Sequence, residues 1–176
     1  MMNMKILKIK YKYYIINSMS VYHGSRLKFD IAKPSFTRRT QLKKGERQVA
    51  YEGISLHASP HKWIALSYTN NRQWFIKNGK KEYFGVGVSL FNNDKQIYIL
   101  GKRNLEYSLK KIYGNGGYLY TFDAKKFKHV KGLGPLEVLS YEEQKPNRIE
   151  FIKNPVKEMK KLGVNFIFMD ITKNKI

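Results

Sequence analysis

The apolar residues of LEYSLKKIYGNGG, Leu105, Leu109 and Ile112, recur at steps of four and three, which gathers them on one side of a helix. The glycine-rich run that follows ends that helix. GYLYTFDAKKF alternates in the manner of a strand and a turn. SVYHG reads as a short strand, because Val21 and Tyr22 favour extended backbone, and it opens into a turn where Gly24 permits tight or left-handed geometry. VAYEGISLHAS is strand-like around Gly53. Pro60 then marks the entry to a helix over HKWIALSYTNNRQWFIKNG, with Trp63, Ala65 or Leu66, and Trp74 on its buried side.

KEYFGVGVSLF predicts another strand, and DKQIYIL a further strand or the start of a helix. LEVLSYEE predicts a strand. RIEFIKNPVKEMKKLGV predicts a strand and then a short helix entered at Pro155, with NFIFMDI as the last strand. KPSFTRRTQLKKGERQ, Lys33 to Gln48, has no long periodic apolar pattern and carries Pro34, Gly45 and many cations. It reads as an exposed connection with room for a short helix, and as a candidate loop over a ligand. The strands are not regularly interleaved with long crossover helices, so the fold class is α+β, dominated by antiparallel strands with helical connections.

A chain of 176 residues can bury one substantial core, and the expectation is a single domain over residues 21–176. Residues 1–20 form a leader or an added edge element, with Tyr11, Tyr13, Tyr14, Ile15 and Ile16 as packing candidates. Their charges interrupt any sustained apolar run before a small-residue cleavage site, so a secretory signal is not expected. No segment approaches the roughly 20 apolar residues of a membrane span. The expected setting is intracellular, cytoplasm and nucleus being equally open. The lack of any cysteine excludes disulfides, thiolate nucleophiles and thiolate metal sites.

With 34 Lys and Arg against 13 Asp and Glu, the formal charge is +21, a field that attracts nucleic acid or another polyanion. Lysine outnumbers arginine and Asn, Ile and Tyr are plentiful, a composition that genome bias produces as readily. The interleaved aromatics and lysines of YLYTFDAKKFKH permit base stacking with backbone contact but form no defined RNA-recognition motif.

Taken as single residues, the chemical candidates are ambiguous. His23 is either a satisfied histidine beside a turn or a ligand-orienting imidazole, and Tyr68 is one of thirteen tyrosines. His57 and His61 stand four apart, but Pro60 lies between them and no third ligand or HExxH glutamate follows, so no metal site is expected. GNGG, Gly114 to Gly117, lacks the Gly-Lys-Ser/Thr of a phosphate loop and reads as a helix-to-strand connection. Asp123 reads as a turn residue.

Three segments change the picture through their order: YHGSR at Tyr22 to Arg26, GISLHASPHKWIALSY at Gly53 to Tyr68, and LEVLSYEEQKP at Leu136 to Pro146. Together they resemble the catalytic domain of ADP-ribosyltransferases, the superfamily with a His-Tyr-Glu pattern, and in particular the poly(ADP-ribose) polymerase catalytic domain. The resemblance implies a compact, split antiparallel β-sheet core and NAD as cosubstrate. It makes His23 and the backbone of Gly24 the groups that orient the dinucleotide, with Ser25 and Arg26 beside them and Arg26 suited to the pyrophosphate. Tyr68 takes the place of the tyrosine that stacks on nicotinamide. Glu137 takes that of the glutamate that binds a ribose hydroxyl and stabilises developing positive charge.

Ala65 stands where relatives carry a small residue or serine, so one hydroxyl contact to the amide is missing. Pro135 stands two positions before Glu137, where arginine-directed members carry an acidic residue or glutamine, which disfavours arginine as acceptor.

The leading expectation is therefore transfer of ADP-ribose from NAD to a nucleic-acid or protein acceptor, with Arg38 and Arg39 available for nucleic-acid phosphate. An RNA 2′-phosphotransferase-like enzyme is the alternative within the same fold. A noncatalytic nucleic-acid-binding protein is the alternative outside enzymology.

Overall fold

The computed structural model describes residues 19–43, 46–70, 75–77, 80–82, 84–91, 93–130 and 133–170. The leader candidates at residues 1–18, and Trp74, lie outside the described residues.

GYLYTFD supplies the strand around which the fold is built, β8 (Gly117–Asp123), because it is apolar on both faces: Leu119 and Tyr120 are fully buried and Phe122 nearly so. It lies between β1 (Ser20–Ser25) and β10 (Arg148–Ile152), both antiparallel to it, with His23 opposite Tyr120 and Gly24 opposite Leu119. Successive side chains of a strand point to opposite faces. Accordingly Leu119 enters one core, and Tyr120 and Phe122 enter the other.

The first core is closed by α1 (Lys62–Ser67), α2 (Leu105–Tyr113), α3 (Pro155–Lys161) and a sheet with β7 (Asp94–Gly101) at its centre. On one side of β7 runs β6 (Gly85–Phe91), antiparallel; on the other runs β11 (Val164–Asp170), parallel. That parallel pair departs from the antiparallel expectation. Parallel strands need a long crossover, and the chain between β7 and β11 supplies it, with α2 packed on β7 and α3 on β11.

The second core is closed by β3 (Glu46–Ala58) and β9 (Val138–Ser140), which join β2 (Ser35–Lys43) in an antiparallel sheet of order β2-β3-β9. A hairpin of β4 (Phe75–Lys77) and β5 (Lys80–Glu82) completes the described elements of this mixed α+β fold. Among the described residues no helix is long and apolar enough to cross a membrane.

Two local expectations are corrected. Within the stretch expected as a connecting loop, Ser35–Lys43 is β2 and Glu46 to Gln48 are the first residues of β3, paired from Ser35 with Ser55 to Lys43 with Glu46. The alternation was hidden because the outer face mixes apolar and charged groups: exposed Phe36 lies opposite exposed Ile54, and Arg38 is bound to Glu52 at 3.0 Å. The helix expected over His61 to Gly79 has only six residues, and Phe75–Lys77 is strand. Ser67, Thr69 and Asn70 turn their side chains back onto the carbonyls of Ile64, Leu66 and Ser67, at 2.6, 2.7 and 2.5 Å. Such bonds compete with continuation of the helix.

The α3 start follows its sequence signal. Asn154 accepts from Lys157 N–H at 2.9 Å and Pro155 fills the first turn. Asn154→Ala is expected to cost about 1 kcal/mol, read from the shift of the urea unfolding midpoint.

Candidate functional site

The short α1 helix is buried from Trp63 to Ser67, and β1 crosses it at Gly24. A Cβ on Gly24 would stand 1.8 Å from the carbonyl oxygen of Ala65 and 3.1 Å from the amide of Thr69, so only glycine allows this approach. Gly117 makes the neighbouring contact, where a Cβ would meet Thr69 at 2.6 Å. Within GNGG, Gly114 caps α2 and Gly116 takes a φ of +68°, so the run builds the turn into β8.

Next to this crossing, Tyr22 exchanges both backbone hydrogen bonds with Ser59, each 2.8 Å. Backbone groups two residues apart on a strand point to the same edge. Gly24 therefore presents its N–H and C=O on the edge of β1 away from β8, and Gly24 lines a cavity of about 270 Å³.

His23, Ser25, Arg26, Tyr68 and Glu137 line the same cavity. Tyr68 arrives as the residue that caps α1. Glu137 arrives through a turn in which its N–H donates to the carbonyl of Gly134 at 3.3 Å, immediately before β9. The Tyr68 hydroxyl donates to Glu137 Oε1 at 3.4 Å. Residues separated by 45 and 69 positions along the chain thus meet at one place.

His57, on β3, joins them. Its Nδ1 stands 3.0 Å from Glu137 Oε2, and both side chains are largely withdrawn from solvent, at 12% and 19% exposure. An ionised carboxylate only accepts, so Nδ1 carries the proton and donates. The other ring nitrogen, Nε2, is 3.2 Å from the hydroxyl of Ser55. Through its backbone carbonyl His57 also accepts from His23 Nδ1 at 2.6 Å.

A carbonyl cannot donate, so the His23 proton sits on Nδ1. Burial pushes the pKa of His23 down, partly offset by that hydrogen bond and reinforced by the neighbouring His57 ring. The neutral ring leaves Nε2 with a lone pair, able to accept from a ligand hydroxyl. The sign of the linked stability follows. Below the ordinary value of 6.5 the unfolded chain takes up a proton that folded His23 refuses, so stability is present above that pH and is lost as pH falls through the window beneath it. His61 is shifted down by burial and then by Lys95, and contributes with the same sign. The unfolding free energy is expected to drop as pH falls below 6.5, and His23→Gln to flatten that slope in urea titrations.

Other residues named from the sequence have different surroundings. Ser25 accepts from the Leu27 amide at 3.1 Å in a turn, and Arg26 stands exposed at the cavity rim. Ala65 lines the cavity without a hydroxyl. Arg38 lies away from the cavity, paired with Glu52, and the side chain of Arg39 falls outside the description. Glu143 pairs with Lys33 at 3.3 Å. Asp123 accepts from the Lys125 amide at 3.0 Å, the turn role expected of it. In YLYTFDAKKFKH the rings of Tyr120, Phe122 and Phe127 are buried, so they offer no base-stacking face.

In the sequence the spacing of His57 points to His61, four positions on. The informative partner is Ser55, two positions back on the same strand face. Among the described residues no three His, Cys, Asp or Glu side chains gather as a metal site.

A second cavity, of about 490 Å³, adjoins the first. His23, His57 and Tyr68 line both, and Phe29, Thr37 and Ser55 are among the further walls of the second. Compared with protein-family models, with curated proteins and with solved structures, the chain finds no match.

Proposed function

We propose that this chain transfers ADP-ribose from NAD to an acceptor and releases nicotinamide, using a compact split-sheet core of the ADP-ribosyltransferase kind. One observation carries the reading: His23, Gly24, Tyr68 and Glu137, assigned from three separate segments, border a single cavity with the Tyr68 hydroxyl 3.4 Å from the Glu137 carboxylate.

The cavity suits the nicotinamide end of the dinucleotide. Tyr68 gives a ring face for stacking, and the Gly24 edge offers one donor and one acceptor, the complement of a carboxamide. Arg26 at the rim suits the pyrophosphate. The His23 lone pair accepts from a ribose hydroxyl.

NAD brings a good leaving group, nicotinamide, attached to an anomeric carbon. Glu137, aimed by His57, accepts from the neighbouring ribose hydroxyl and stabilises the positive charge that grows on the sugar as the bond to nicotinamide lengthens. Among the described residues Glu137 is the one carboxylate lining this cavity, which concentrates its field there. The 2′-phosphotransferase alternative gains nothing from Arg38, whose guanidinium is committed to Glu52 outside the cavity.

The test is nicotinamide release, measured by mass spectrometry, from NAD incubated with the protein alone and with mixed RNA, DNA and protein acceptors. Release accompanied by an ADP-ribose mass increment on an acceptor is the expected result. A folded protein that binds NAD yet releases nothing under any condition would sink the reading.

A further inference from the structure

Ser55, His57 and Glu137 form an unbroken line of hydrogen bonds, Ser55 Oγ to His57 Nε2 at 3.2 Å and His57 Nδ1 to Glu137 Oε2 at 3.0 Å. Its ends lie in different places. Glu137 lines the first cavity, Ser55 lines the second, and His57 borders both. Electrostatic support of Glu137 needs only the Nδ1 side of this line. The Nε2 side, with a lone pair turned to a hydroxyl in the second cavity, is the arrangement of a base oriented by a carboxylate.

We propose that the second cavity is the acceptor site and takes a hydroxyl-bearing protein side chain, with His57 as its proton acceptor; the proposal rests on the transferase reading of the first cavity. The reaction needs such a group. When a hydroxyl attacks the anomeric carbon, the new O–C bond forms as the C–N bond to nicotinamide breaks, and that bond's electron pair leaves on the nicotinamide nitrogen. The hydroxyl proton must go elsewhere. It passes to His57 Nε2, either directly or through Ser55, whose oxygen takes the acceptor proton while its own proton moves to Nε2. The His57 proton is afterwards lost to water, so no oxidant or further reactant enters.

The lining selects the acceptor class. A carboxylate acceptor arrives already deprotonated and has no use for a base. A nucleic-acid strand needs cations for its phosphates. Among the described residues the second cavity offers Lys33 alone, and its ammonium is bound to Glu143. The remaining walls are apolar, aromatic or hydroxylic, among them Phe29, Ile31, Thr37 and Leu56, which suits a neutral side chain. Ser55 itself is 1% exposed, fixed at the cavity wall as a relay.

The experiment gives wild-type, His57→Ala and Thr37→Trp proteins NAD and two kinds of probe. One is a set of synthetic peptides, each carrying serine, tyrosine, glutamate or arginine as its sole side-chain nucleophile. The other is single-stranded RNA and DNA oligonucleotides. Products are weighed before and after hydroxylamine, which cleaves an ester to a carboxylate and spares the acetal formed by a hydroxyl.

Expected are hydroxylamine-resistant adducts on serine or tyrosine peptides. His57→Ala lowers their formation about 10²–10⁴-fold, and added free imidazole restores part of the rate, which a purely structural role would not allow. Thr37→Trp, filling the cavity, raises the acceptor KM and lowers the ratio of transfer to NAD hydrolysis about tenfold or more. The linkage chemistry and the Thr37→Trp ratio decide the matter even where His57→Ala fails to fold.

Adducts confined to carboxylates, guanidinium groups, nucleic acid or Ser55 overturn the assignment, as does a folded His57→Ala protein deaf to imidazole or an unchanged ratio in Thr37→Trp. Nicotinamide released with such a pattern leaves the transferase reading standing and removes the acceptor site. No nicotinamide released with any probe removes both.

Discussion

Glu137→Gln is expected to lower the rate of nicotinamide release about 10²–10³-fold while changing NAD affinity by a few-fold at most. The expectation follows from the two hydrogen bonds that hold the carboxylate. His57 donates to Oε2 at 3.0 Å and Tyr68 to Oε1 at 3.4 Å. A glutamine satisfies the His57 donor only by turning its amide oxygen that way. Its NH2 group then faces Tyr68 and the ribose, and a partial positive charge stands where the sugar itself becomes positive. Ground-state contacts to the rest of the dinucleotide persist, so the loss falls on kcat. Single-turnover kinetics with a parallel binding titration separates the two quantities. Equal losses in affinity and rate would show that Glu137 acts in binding alone.

The second large effect concerns the crossing of β1 over α1. Gly24→Ala is expected to destabilise the protein by about 3 kcal/mol, the upper end for overpacking. The reason is the nature of the atoms met: the Ala65 carbonyl, whose oxygen would be 1.8 Å from the new Cβ, and the Thr69 amide are backbone and cannot rotate aside. For a chain of this size that corresponds to a fall in Tm of roughly 6–12 °C. Gly87→Ala is the control, because its Cβ would meet Tyr98 at an ordinary 3.6 Å, and Tm is expected to stay within about 3 °C. Differential scanning calorimetry reads both. The pair separates a glycine needed for space from one that merely occurs in a strand. It also ties the cavity to the fold, since the edge that Gly24 presents exists only while β1 stays close to α1.

The elements legible in sequence were those whose pattern and boundary signals agreed. Leu105, Leu109 and Ile112 end at a glycine cap, Asn154 and Pro155 open α3, and the apolar run of β8 is bounded by turns on both sides. Where one face of a strand is neither dry nor uniformly polar, pattern fails. Phe36, Arg38 and Ile54 share the exposed face of β2 and β3, so the hairpin looked like a charged loop. The overlong helix had a different cause. Propensity extends through Trp74, but the side-chain bonds of Ser67, Thr69 and Asn70 to carbonyls behind them stop it at Tyr68, and no periodicity encodes that competition.

The candidate site was legible through the order of its segments, which named His23, Gly24, Tyr68 and Glu137. Spacing alone does not show that β1, α1 and the start of β9 meet around one cavity. His57 was not legible because its significance is relational. It reaches Glu137, eighty residues away, and supports His23 through its backbone rather than its ring.

The most direct measurement is the crystal structure of the Glu137→Gln protein soaked with NAD. The account predicts nicotinamide on the Tyr68 ring with its carboxamide bonded to the Gly24 backbone, a ribose hydroxyl on His23 Nε2, the pyrophosphate toward Arg26, and the second cavity left for the acceptor. NAD bound elsewhere, or no NAD density in a protein whose cavity is intact, would contradict it.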